Sequence, residues 1–237
     1  MKEIFKTYKT FLSIFGFLSI GILILFYNAL KPKRILPIYQ PAEVSFELVD
    51  STLQHIKTRH RVSDFRLMNQ NGKIITQHDY KDKIVVVDFF FTTCPSICPI
   101  MTDNMGLIQE KIKNQDQINL LSFSVTPKID SVAQLKKYAI EKGVIDKHWN
   151  LLTGDKKEIY KLARKSYFVV KEDGDGGPFD MIHTENFVLV DPDRRIRGYY
   201  DGTNLEEMET LWEDILVLKQ EYPIQLKPHS FWHRSLF

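Results

Sequence analysis

Cysteine is scarce in this chain, with Cys94 and Cys98 alone among 237 residues. A disulfide scaffold draws on more cysteines spread through the sequence, so that class is excluded. Two thiols four positions apart mark one local site instead. A basic stripe is also missing. Lysine and arginine are interleaved with acids, the net charge is +2, and a nucleic-acid partner is not expected. No internal repeat is present. The hydrophobic fraction of 43% and charged fraction of 26% suit a globular protein.

Charge is absent from Phe11 to Leu30, with Lys2, Lys6 and Lys9 before it and Lys31, Lys33 and Arg34 after it. A run of ~20 residues is long enough to cross a bilayer as a helix. A signal peptide would have a shorter apolar core and a small-x-small cleavage site, and Tyr27–Lys31 offers none. A buried core helix would have a polar face, which this run lacks. The expected organisation is a cytoplasmic N-terminus over residues 1–9 and a transmembrane anchor over 10–30. A stalk follows over 31–61, with a short helix from Glu47 to Lys57. A folded domain occupies 62–222 and a tail 223–237. Both flanks of the anchor are positive, so charge does not set its orientation.

Within the domain, residues 62–80 read as a hairpin, with Asn71-Gly72 as its tight turn. Lys83 to Phe91, KIVVVDFFF, suits a central strand covered on both faces. The run breaks at Thr92-Thr93-Cys94-Pro95, and a helix follows from Ser96 to Lys113, with Pro99 in its first turn. A strand over Ile118–Val125 and an amphipathic helix over 131–142, stopping at Gly143, come next. Then follow a short strand at Trp149–Leu152, a helix at Lys156–Ser166 and an extended stretch at Tyr167–Lys171. A Gly/Asp loop, Glu172–Pro178, precedes a hairpin of Asn186–Val190 with Ile196–Tyr200. A final helix covers Leu205–Gln220. This order indicates a layered α/β domain. A central strand running into a cysteine-bearing helix, with a late hairpin, points to a thioredoxin-like fold.

Cysteines at i and i+4 share one face of a helix or its first turn, so the sulfurs can converge on each other or on one ion. The partial positive charge of a helix N-terminus stabilises thiolate, which is both nucleophile and soft metal ligand. Two thiolates are an incomplete set for structural zinc. Two sulfurs with one imidazole suit Cu(I). The histidines available are His55, His60, His78, His148, His183, His229 and His233. His183 is the best placed, between the Gly/Asp loop and the Asn186 strand, where this fold packs a loop beside the cysteine turn. That place usually holds a proline; Met181-Ile182-His183-Thr184 has none.

Asp88–Pro99, DFFFTTCPSICP, and FDMIHTENFVLVDPDRRI around His183 resemble the Sco/SenC family of copper-binding assembly factors for cytochrome c oxidase. Weaker likeness extends over roughly residues 62–220. The resemblance implies copper, Cu(I) or Cu(II), bound by Cys94, Cys98 and His183. It also implies a domain facing the periplasm or an equivalent compartment. It implies a role at the dinuclear copper site of an oxidase subunit, by copper delivery or by thiol reduction. An upstream copper donor or a thiol reductant is then a further partner. The chain departs from the family at Thr126-Pro127, where Asp-Pro is common, and Lys128 stands in for the basic residue that follows. Asp180 sits three residues before His183, where the family often has an acid closer to the histidine.

The alternative to a non-enzymatic metallochaperone is a thiol–disulfide oxidoreductase cycling a Cys94–Cys98 disulfide. The cysteine spacing and the missing proline favour the first, since dedicated oxidoreductases of this fold typically use C-x2-C and that proline. A lone peroxidatic cysteine is absent, which disfavours a peroxidase. A plain binding module with structural cysteines is the third class.

Overall fold

The computed structural model describes residues 8–30, 34–44, 60–170, 182 and 184–223. The chain divides into two compact units, Met1–Ile35 and Leu36–Phe237. The first is built on helix α1, Lys9–Leu30, whose apolar side chains are exposed all round, Phe17 at 77% and Leu25 at 69%. Among the described residues no helix is long and apolar enough to cross a membrane. The side chains of Thr10, Asn28 and Ala29 lie outside that description, which leaves Phe11–Tyr27 as the continuous stretch.

The second unit is a seven-stranded mixed sheet in the order β2-β1-β5-β4-β3-β6-β7. Its strands are β1 Arg66–Asn69, β2 Ile74–Thr76, β3 Ile84–Phe90, β4 Ile118–Ser124, β5 Trp149–Thr153, β6 Asn186–Val190 and β7 Ile196–Asp201. The centre, β3-β4-β5, is parallel; the outer pairings are antiparallel. Every residue of β3 and β4 is buried, as expected of central strands with both faces covered. Gly72, at φ +72, makes the tight turn between β1 and β2, a conformation open to glycine at no steric cost.

Alternation along β3 sorts its side chains between two cores. Val85, Val87 and Phe89 join Phe65, Leu121 and Phe123 on one face. Ile84, Val86 and Phe90 join the other, under helices α2 Ile97–Ile112, α3 Val132–Glu141 and α5 Leu205–Glu221. The first face is covered by α4, Lys156–Lys161, which continues as a π-helical turn over Leu162–Ser166.

Two stretches differ from the sequence expectation. Tyr167–Val170 is not an extended strand. Tyr167 N–H and Val169 N–H turn back onto the carbonyls of Leu162 and Ala163, and Phe168 takes φ +54. Burial of Tyr167, Phe168 and Val169 in the first core holds this bend in place. Residues 31–61, read as a stalk, are in part integral to the domain. The fully buried Arg197 donates to the carbonyls of Leu36 and Pro37 at 2.7 and 2.9 Å, and Tyr39 N–H pairs with Ile196 O at 2.9 Å. A buried guanidinium must find acceptors, and it finds two of them in this segment. The expected helix at Glu47–Lys57, the Gly/Asp loop at Glu172–Pro178, His183 and the tail beyond Pro223 lie outside the described residues.

Candidate metal centre

The site begins where β3 ends. Phe91 is half-buried against both cores. Cys94 N–H turns back to Phe91 O at 3.3 Å, and α2 starts at Ile97 with Pro99 in its first turn. Both cysteines are free and buried, at 8% exposed for Cys94 and 3% for Cys98. Cys98 N–H donates to Cys94 Sγ at 3.5 Å, and Ser96 Oγ lies 3.9 Å from the same sulfur. The four-residue spacing folds the first helical turn so that its backbone amide points at the first thiol.

The two thiols are therefore unlike. Partial burial works against the Cys94 thiolate. The N–H groups of Ser96 and Cys98, the Cys98 thiol and the Ser96 hydroxyl outweigh it and hold Cys94 below its ordinary value. Burial pushes Cys98 up to about 12, helped by Cys94 and by Asp88, against a backbone hydrogen bond from Phe91. A hydrogen-bonded, stabilised thiolate beside a thiol that burial keeps protonated is suited to nucleophilic attack followed by resolution. The same pair presents two soft donors to a thiophilic metal.

A carboxyl that the sequence reading missed acts on Cys98 from the same face of the sheet. Asp88 points to the same face as Val86 and Phe90 and is 1% exposed. It stands opposite Ser122 in the parallel ladder, and Ser122 Oγ accepts from Trp149 Nε1 at 2.8 Å. Among the described residues Asp88 Oδ1 has no hydrogen-bond partner. Burial pushes the group up to about 7 despite a hydrogen bond to Ser122. The available signal was an acid inside the otherwise apolar run KIVVVDFFF.

The described histidines are occupied elsewhere. His60 Nε2 pairs with Ser166 O at 2.8 Å and its ring packs on Phe168; burial lowers it. His148 is buried, with Nε2 3.0 Å from Lys113 O. His78 pairs with Gln77. His55, His183, His229 and His233 lie outside the described residues, among which no three His, Cys, Asp or Glu side chains converge on a metal position.

A mixed sheet with parallel centre, a dithiol at the first turn of the helix after its central strand, and an antiparallel hairpin beyond define a thioredoxin-like α/β domain. Within that class the SCO1/SenC family profile matches residues 53–218, and the chain belongs to this family. A SCO1/SenC family lipoprotein from Bacillus anthracis is 30% identical, with a TM-score of 0.60 over 67% of this chain and 95% of its own. BsSco, a member of the Sco family of cytochrome c oxidase assembly proteins described with a disulfide switch, is 32% identical; the TM-score is 0.59 over 71% of this chain and 95% of its own. ScoI of Bradyrhizobium japonicum, a structure with copper bound, is 29% identical, with a TM-score of 0.53 over 69% and 99%.

Proposed function

We propose that this chain is a membrane-anchored copper carrier for cytochrome c oxidase assembly, holding one copper through Cys94, Cys98 and His183. The observation that carries the reading is the pair of free thiols, joined through Cys98 N–H to Cys94 Sγ at the start of α2. Copper in the Bradyrhizobium relative supports the metal, and two thiolates are the soft donors that Cu(I) favours.

Topology supports His183 as the third ligand. β6 runs antiparallel to β3, with Val87 opposite Val188, so the residues leading into β6 belong at the end of the sheet where the cysteine turn leaves. Ile182 and Thr184, on either side of His183, are both buried. With copper as cargo, the partner is the copper-containing oxidase subunit, and an upstream donor or thiol reductant serves the carrier. The sequence supports the anchor: the 20 residues Phe11–Leu30 carry no charge, and as a helix they would rise about 30 Å, the hydrocarbon thickness of a bilayer. The domain then faces the periplasm or its equivalent, and the lipoprotein nature of the Bacillus anthracis relative supports that side.

The asymmetry of the thiols favours a second use of the same pair. Cys94 thiolate attacks a partner disulfide, forming a mixed disulfide and releasing one partner thiolate, which takes up a proton. Cys98 gives up its proton and displaces the second partner sulfur. Two electrons pass to the partner, and Cys94–Cys98 ends as the disulfide. That form has no thiolate to offer copper.

The test is Cu(I) stoichiometry and affinity of the reduced chain beside His183→Ala. One copper per chain, held at least tenfold less tightly in the variant while the thiols still oxidise, is the expected result. Equal affinity removes His183 from the site. No copper in either, with a readily cycled disulfide, leaves the oxidoreductase reading.

A further inference from the structure

A second buried acid is tied to the cysteine turn by hydrogen bonds. Asp130 lies just before α3 and is completely buried. It accepts four hydrogen bonds. Thr92 supplies two, from Oγ1 at 2.6 Å and from N–H at 3.2 Å. Ser124 Oγ donates at 2.6 Å and Thr126 Oγ1 at 3.0 Å. Gln134 Nε2, from the first turn of α3, donates to Thr92 Oγ1 at 3.0 Å.

The segments joined in this way meet at the end of the two central strands. Ser124 stands opposite Phe90 at the last rung of the β3–β4 ladder, and Val125 N–H bonds Phe90 O at 2.9 Å. Thr92 is two residues past the end of β3 and two before Cys94. A buried carboxylate is costly unless its oxygens are satisfied, and here two of its four donors come from a single residue of the turn. The clamp therefore sets the path of the chain as it leaves the sheet, and with it the turn that aims Cys98 N–H at Cys94 Sγ.

We propose that Asp130 is a positioning residue for the dithiol: by holding Thr92 it sets both the Cu(I) affinity of the cysteine pair and its dithiol–disulfide equilibrium. The inference rests on the copper-and-thiol reading above. Groups that hydrogen-bond a metal ligand directly contribute about 10–100-fold to metal affinity; Asp130 acts one step further out, through Thr92, so an effect at the lower end of that range is expected. The N–H contact to Cys94 stabilises the reduced pair, so loss of the clamp shifts the equilibrium toward disulfide.

The test uses the full chain in detergent, as wild type, Thr92→Val, Thr92→Ser and Asp130→Asn. Cu(I) affinity is read by competition with a chromogenic chelator, the thiol equilibrium in glutathione buffers, and stability by thermal unfolding. Thr92→Val removes the hydroxyl donor at nearly constant volume and serves if Asp130→Asn does not fold. We expect Thr92→Val to bind Cu(I) about tenfold more weakly and to favour the disulfide about tenfold, a change of about 30 mV. Thr92→Ser should restore both. Thr92→Val that melts earlier but keeps wild-type affinity and equilibrium overturns the inference while leaving the site reading intact. Wild type that neither binds Cu(I) nor cycles its thiols overturns both.

Discussion

Asp88 makes the stability of this domain depend on pH in a way that one substitution abolishes. Its carboxyl is 1% exposed, one oxygen has no partner among the described residues, and burial lifts it from an ordinary 3.8 to about 7. Between those values the folded chain keeps the proton that the unfolded chain has lost. Stability therefore falls as pH rises through the window, and the full cost is present above about pH 7. Three units correspond to about 4 kcal/mol, of which about 3 kcal/mol develops between pH 5 and pH 8. Asp88→Asn cannot ionise. Its amide lacks an acceptor where Oδ1 is unpaired, a penalty of about 1–3 kcal/mol at every pH. Relative to wild type, the variant gains about 3 kcal/mol from pH 5 to pH 8. Urea unfolding of the full chain in detergent at the two pH values measures this. Tryptophan fluorescence is the probe, since Trp149 is buried and bonded to Ser122 beside Asp88. Parallel pH profiles for wild type and variant would refute the reasoning, because the carboxyl would then be titrating normally.

The thiols make a second prediction. Cys94 lies below 9.0 and Cys98 near 12, a gap of at least three units in thiolate fraction. The lower nucleophilicity of the more acidic thiol offsets nearly half of this, leaving Cys94 on the order of 40-fold faster in alkylation at neutral pH. Peptide mass spectrometry after brief iodoacetamide treatment checks it, and equal labelling would contradict the assignment. Arg197 supports the fold rather than the chemistry. Its guanidinium meets Asp191 at 3.0 Å, Glu221 at 2.6 Å and the Leu36 and Pro37 carbonyls. Arg197→Met leaves Asp191 with one fewer counter-charge and two carbonyls without this donor, for a loss of about 3–5 kcal/mol. Protease sensitivity around Leu36–Val44 should rise with it; unchanged stability would show that the segment is held by other contacts.

The local chemistry was legible because it is written in short-range pattern. The apolar run KIVVVDFFF announced a doubly covered strand, Asn71-Gly72 its tight turn, and the Cys94–Cys98 spacing a shared helical face. Two features depended on residues far apart. Asp88 matters because Ser122, a strand away, hydrogen-bonds it and because its charge acts on Cys98. Asp130 matters because Thr92, Ser124 and Thr126 converge on it from the ends of β3 and β4 and the residues just beyond them. The bend at Phe168 and the docking of Leu36–Pro37 on Arg197 likewise arise from long-range packing that no periodicity records. By itself the sequence determined the order of elements, the paired soft donors and the helix N-terminus that favours their thiolates, all consequences of local backbone geometry. Tertiary structure decided which thiol is stabilised and which is kept protonated by burial, and which carboxylates act on them and on their turn. Burial and hydrogen-bond direction are properties of the folded neighbourhood, not of the residue.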